Sequence, residues 1–321
     1  MSVEFVVLGA AAAALVALAS SASVALTLPL ARRHLHRLDP DARARLVTSL
    51  ALLPLVASVV SVFVAVSPWM GALVDHCEVH GHHPHLCPSH AVLHDAPVPW
   101  LLAAWLVMAA SVAAFRAARS AWGSFVASRK LREASTEGGC GTRVLEDDEP
   151  YACVAGLLAP EVFISRALLD RASPGSLRVV LAHERAHALR RDPLLRWAAA
   201  IGLAFHLPGV GRALASMLAC AQEAAADRDA AVAVGERAPV AHAILELARM
   251  RLRVVSGATD WAAFEGADVE ARVLELLEDR PRANVPRWLV ALVALGAGAA
   301  LGLGGRHVHH ALETALGLLG A

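Results

Sequence analysis

The chain has 321 residues, 57% of them hydrophobic, and a mean hydropathy of +0.52, which excludes an ordinary soluble protein of this length. Acidic and basic residues balance to a formal net charge of zero, so total charge gives no footprint for direct nucleic-acid binding. Arg carries nearly all the positive charge, and the 16 His are unevenly placed. Taken in chain order, four apolar segments are close to the ~20 residues that cross a bilayer: Val3–Leu30, Leu46–Met70, Pro97–Phe115 and Trp288–Gly304. Trp69, Trp100 and Trp288 stand near span ends, where amphipathic rings prefer the headgroup region. Small residues in Ser20–Ala25 raise a signal peptide as the rival reading of the first span, but Met1–Glu4 carries no positive charge.

Arg32, Arg33, Arg37, Arg43 and Arg45 fill the first linker, and Arg116, Arg119, Arg129, Lys130 and Arg132 follow the third span. The linker Gly71–Ala96 holds no Lys or Arg. The positive-inside rule therefore places the first linker and residues 116–286 in the cytoplasm of a multi-pass inner-membrane protein. The N-terminus, the linker 71–96 and the C-terminal tail face outward. The expected organisation is a membrane region over 1–115, a cytoplasmic domain over 116–286, and a fourth span with a short tail over 287–321.

Within the domain, polar, acidic Ser135–Pro150 reads as a loop or turn, and apolar Ala152–Ser165 as two short strands forming a hairpin or an edge pair. Ser176–Arg191 reads as a helix, and Asp192-Pro193 as the cap and first turn of the next one. Leu194–Leu207 is very apolar yet too short to span alone; it is a buried core helix or one that dips into the inner leaflet. Pro208–Gly211 breaks the pattern, and Ala213–Val234, Pro239–Val254 and Glu270–Glu278 read as helices. The fold class is mainly α: a polytopic helical membrane protein with a cytoplasmic domain holding a small β element.

The chemistry sits in His183-Glu184-Arg185-Ala186-His187. Two His four residues apart on a helix share one face and can hold one ion, while Glu184 can reach a water bound to it. This points to Zn2+, one catalytic ion, with Glu184 as general base. Arg190 and Pro193 stand where the extended metzincin pattern needs Gly and His, so the third ligand comes from elsewhere. Glu223 is the candidate, on a helix that returns after Pro208–Gly211. Asp227, one turn on, can accept a hydrogen bond from a ligand His and fix its tautomer; Asp229 competes for that role. Arg190, Arg191 and Asp192 read as a charged face and cap. His206 and His242 read as satisfied core or interface His.

These residues resemble the M56 family of membrane metallopeptidases, the BlaR-type sensor-proteases. The resemblance rests on Gly156–Ser165, on Ala182–Asp192 as an H-E-x-x-H-x-x-R-R-D form, on Phe205-His206 before Pro208, and on Glu223 to Asp227 as E-x-x-x-D. It implies a gluzincin-type zinc site, three spans before the peptidase and one after, and cleavage of a cytoplasmic protein such as a transcriptional repressor after an outside signal. The resemblance does not extend to the penicillin-binding domain that antibiotic-sensing members carry after the last span, so β-lactam sensing is not expected. The related M48 family shares H-E-x-x-H and E-x-x-x-D and implies membrane-protein quality control instead.

The linker 71–96 carries His76, Cys77, His80, His82, His83, His85, Cys87, His90 and His94, and the tail adds His307, His309 and His310. Clustered imidazoles bind transition metals, so an outward metal-binding surface is one expectation. A polar loop clipped by a Cys77–Cys87 disulfide is the other. Cys140, Cys153 and Cys220 fall in the cytoplasmic part and should be reduced. The sequence thus points to an integral membrane zinc endopeptidase with lipid and protein-substrate partners. A non-catalytic transition-metal sensor is the reading from a different class, and Glu184 argues against it, because a pure binding site needs no general base.

Overall fold

The computed structural model describes residues 3–66, 97–254 and 269–278, together with 311–312, 314–316 and 318 of the tail. The outward His/Cys cluster of linker 71–96, the Cys77–Cys87 pairing and the fourth span 288–304 lie outside the described residues. The rest is mostly helical with one small sheet, as the composition leads one to expect.

Three helices, α1 (Val3–Leu35), α2 (Pro40–Val66) and α3 (Pro97–Ala134), are long and apolar enough to cross a membrane. All three extend past the predicted spans, α3 furthest. Its polar second half, from Arg116 to Ala134, continues the helix because nothing in it breaks one. Leu312 and Leu316 pack on Phe5, Leu8, Ala11 and Ala12, so the tail and the N-terminus sit at the same end of α1.

A four-stranded sheet follows, in the order β1-β2-β4-β3. β3 (Ala152–Ala155) and β4 (Glu161–Ser165) are antiparallel, as predicted, with Cys153 opposite Phe163. The segment read as a loop instead supplies β1 (Ser135–Glu137) and β2 (Thr142–Leu145). β1 is a short polar strand on the outer edge, and β2 pairs parallel with β4. Only Val144 and Leu145 give apolar weight to this segment, and hydrophobic alternation over so few residues is too weak to register. β4 is central, with Phe163 and Ile164 fully buried, and Ile164 joins Leu168 and Val180 in the core between sheet and helix.

After the short α4 (Arg166–Arg171) come α5 (Pro174–Arg190), α6 (Asp192–Leu203), α7 (Pro208–Val234), α8 (Ala238–Val254) and α9 (residues 269–277). Ser173 caps α5 by accepting from the Ser176 N–H, with Pro174 in its first turn. α7 is lined by buried Ala221, Ala224, Ala225 and Ala226, whose small side chains allow close packing against its neighbours. Pro208–Gly211 is the first turn of α7 and not a separate break.

The α6–α7 turn docks against the middle of the long helices. Pro54 has no N–H, so the Leu50 carbonyl four residues earlier loses its helical partner. His206 Nε2 lies 3.1 Å from that carbonyl and donates to it. The Leu207 N–H donates to Ser21 Oγ of α1 at 2.9 Å. Gly202 lets α6 approach α2 so closely that a Cβ would stand 2.3 Å from the Ala51 carbonyl oxygen. Phe205 closes the contact against Ala109 and Ala113 of α3.

Candidate metal centre

α5 places His183 and His187 on one face, with their Nε2 atoms 3.1 Å apart. α7 brings Glu223 opposite: Oε2 lies 3.4 Å from His183 Nε2, and Oε1 lies 3.5 Å from His187 Nε2. These three groups offer ligand atoms all within 4.8 Å of one another. Tetrahedral zinc with bonds of about 2.05 Å requires ligand atoms about 3.3 Å apart; the Nε2–Nε2 distance and the distance from each ring to its nearer Glu223 oxygen are close to that, with a different oxygen facing each ring.

The outer nitrogens of both rings are committed. His183 Nδ1 is 2.9 Å from Asp227 Oδ1, and His187 Nδ1 is 2.6 Å from Asp192 Oδ2. Each Nδ1–H donates to a carboxylate, which leaves the lone pairs of both Nε2 atoms facing each other and a carboxylate. Without positive charge between them, that arrangement is repulsive. The electrostatics agree. Burial disfavours the His183 cation, but hydrogen bonds to Asp227 and Glu223 outweigh it and the ring sits at about 9. His187 is likewise raised, burial being outweighed by Asp192 and Glu223. Burial would raise Glu223, but both imidazoles and Arg272 hold it well below the usual carboxylate range. The chemistry and spacing of this donor set therefore fit a divalent cation.

Asp192 was read from sequence as a helix cap, and the structure gives it a different place. The residue before it, Arg191, is the one non-glycine residue with positive φ among the described residues (φ 55°, ψ 42°) and is itself the cap position. That left-handed residue, costly for a side chain with a Cβ, turns the chain so that Asp192 opens α6 with its carboxylate against His187. Asp192 is buried at 2% exposure. Arg272 on α9 is a second group the sequence reading did not single out. It donates to Asp227 at 2.7 and 2.9 Å and lies 3.3 Å from Glu223 Oε2. Asp229 does not reach the imidazoles; it pairs with Arg190 and Arg228.

The centre opens into a cleft of about 650 Å3 whose lining includes His183, Glu184, His187 and Glu223, with edge strand β3 along one side. Burial, and then the nearby Glu184 carboxylate, push the Cys153 thiol of β3 upward, so strand and motif Glu face the same space. Val154, Val240, Ile244 and Leu247 make much of the cleft apolar. His242 is exposed on α8, beside Glu246.

Residues 140–255 match the model of peptidase family M48, a metallopeptidase family whose members depend on zinc. No curated protein and no solved structure matches the chain.

Proposed function

We propose that this chain is an integral membrane endopeptidase that holds one Zn2+ between His183, His187 and Glu223 and uses Glu184 as its general base. The observation that carries the reading is the convergence of two imidazole lone pairs and a carboxylate at zinc spacing, each ring backed by its own carboxylate. A divalent cation held by these three residues would supply Lewis acidity to a water and to the scissile carbonyl. Glu184, beside the donor set, would take the proton from an attacking water as its oxygen adds to the carbonyl carbon and deliver it to the leaving amine as the C–N bond breaks. The free edge of β3 aligns an extended peptide by strand addition.

The membrane reading gives the site a depth. Taking Arg32, Arg45 and Arg116 as the inner face, a rise of ~1.5 Å per residue sets Ser21, Ala51 and Ala109 about 9–17 Å inward. The α6–α7 turn lies at that depth, and α6 climbs back about 15 Å from Gly202 to Asp192. The catalytic centre is then level with the cytoplasmic face, and α6 is the helix that dips into the inner leaflet. Peptide bonds near the bilayer surface are the accessible ones.

The M56 resemblance favours a regulatory enzyme that cuts a cytoplasmic repressor. The M48 match favours turnover of membrane proteins. Comparing cells carrying the wild type and Glu184→Ala separates the two. A cytoplasmic regulator that accumulates uncut in the variant supports the first; membrane proteins that accumulate support the second. Cleavage unchanged in the variant overturns the catalytic account.

A further inference from the structure

We propose that the junction between α1 and α2, the linker residue Asp39 together with the first turn of α2, is a positioning element for the metal centre, acting through Arg228 and Arg190 on the His187 side and through Arg43 on the Glu223 side. The inference rests on the reading of His183, His187 and Glu223 as ligands.

The first arm is an unbroken file of alternating charge. Both Asp39 carboxylate oxygens lie 2.6 Å from Arg228 Nη1, and Asp41 Oδ2 lies 2.6 Å from Arg228 Nη2. Arg228 Nη2 also donates to Asp229 Oδ1 at 2.8 Å. The other Asp229 oxygen accepts from Arg190 Nη1 at 2.5 Å. Arg190 Nη2 then donates at 3.1 Å to Asp192 Oδ2, the same oxygen that accepts from His187 Nδ1 at 2.6 Å. The inner members are shielded from solvent, with the Asp192 side chain 3% and the Arg190 side chain 18% exposed, so salt screens them little.

The second arm starts from the first turn of α2. Arg43, its side chain 5% exposed, donates to Glu275 of α9 at 2.8 Å. α9 carries Arg272, which spans Asp227 and Glu223. Residues 39–43 thus hold both walls of the centre.

The file has more carboxylates than guanidiniums. Arg190 is shared by Asp229 and Asp192, with Asp41 also 3.9 Å from its Nε. When Asp39 and Asp41 leave Arg228, its fork turns wholly to Asp229, the Asp229 hold on Arg190 weakens, and Arg190 shifts along Asp192. The Asp192–His187 bond is what sets the ring's orientation, so the ligand moves with it. Because α1 and α2 meet at this linker, any tilt or slide of either helix is delivered there. The network couples the membrane helices to the site through physical contacts.

The test uses the full chain in detergent, metal-free, titrated with Co2+ while its visible absorption is followed. Wild type that takes up no cobalt overturns the metal reading itself and is seen before any variant is made. Given uptake, D39N/D41N and R228Q are each expected to weaken cobalt affinity about tenfold and to shift the absorption band. The triple variant is expected to be no weaker than R228Q alone, since the members act as one unit. R228K, which keeps the charge, recovers part of the loss. R129A, which removes an exposed pair on α3, changes nothing. Should R228Q fail to fold, D39N/D41N and R228K still give the answer. Affinity within twofold of wild type, additive losses, or lowered melting with an unchanged cobalt spectrum overturns the proposal.

Discussion

The two ends of the α6–α7 hairpin bury polar groups by opposite rules. At the turn, two backbone groups are met by side chains of the protein: His206 closes the carbonyl that Pro54 leaves open, and Ser21 takes the Leu207 N–H. At the other end, the outer nitrogens of His183 and His187 are closed by carboxylates while their inner nitrogens and Glu223 are left converging. A buried polar group left without a partner costs about 1–3 kcal/mol. The closed end is therefore an anchor, and the converging donors of the open end fit a charge from outside the chain.

The comparison breaks if changes at the open end do not act through the cation. Glu184→Gln is expected to lower kcat about 10³-fold while metal content stays full, measured by peptide cleavage and metal analysis. Next in size is pH. Without a cation His183 titrates at about 9 instead of 6.5, and a protonated ring cannot ligate. Apparent zinc affinity should rise about tenfold per pH unit for that proton between 6.5 and about 9. The stability that His183 lends the metal-free protein runs the other way. It is fully present below about 6.5 and lost as pH rises through about 9. Asp192→Asn should weaken zinc about ten- to hundredfold by calorimetry, through ring orientation alone.

Changes at the closed end should lower stability and leave zinc affinity as it is. Gly202→Ala drives a methyl into the Ala51 carbonyl and should cost about 1–3 kcal/mol in denaturant unfolding. His206→Leu orphans the Leu50 carbonyl and should cost about 1–3 kcal/mol. A tip variant that loses zinc without losing stability would erase the distinction between the ends.

What the sequence made legible follows from how local each signal is. The spacing of His183 and His187 is one helical turn, so their convergence needs only a helix. Glu223 and Asp227 lie one turn apart on a second helix, and a four-residue pattern was enough to propose them. Asp192 was misread because its role depends on the left-handed Arg191, a backbone state that an arginine does not advertise. Arg272 reaches Glu223 from a short helix far along the chain, and no periodicity links the two. The small sheet was half visible: β3 and β4 carry apolar runs, whereas β1 is three polar residues held by its register with β2. The carbonyl freed by Pro54 lies in α2 and its donor His206 in the α6–α7 turn, and only the packing joins them.

X-ray absorption at the zinc edge of the purified full chain tests the central claim most directly. One zinc per chain is predicted, with two imidazole nitrogens and one carboxylate oxygen among ligands at about 2.0–2.2 Å, and with the oxygen contribution altered in Glu223→Ala. A chain that retains no zinc, or a ligand shell identical in wild type and Glu223→Ala, would contradict it.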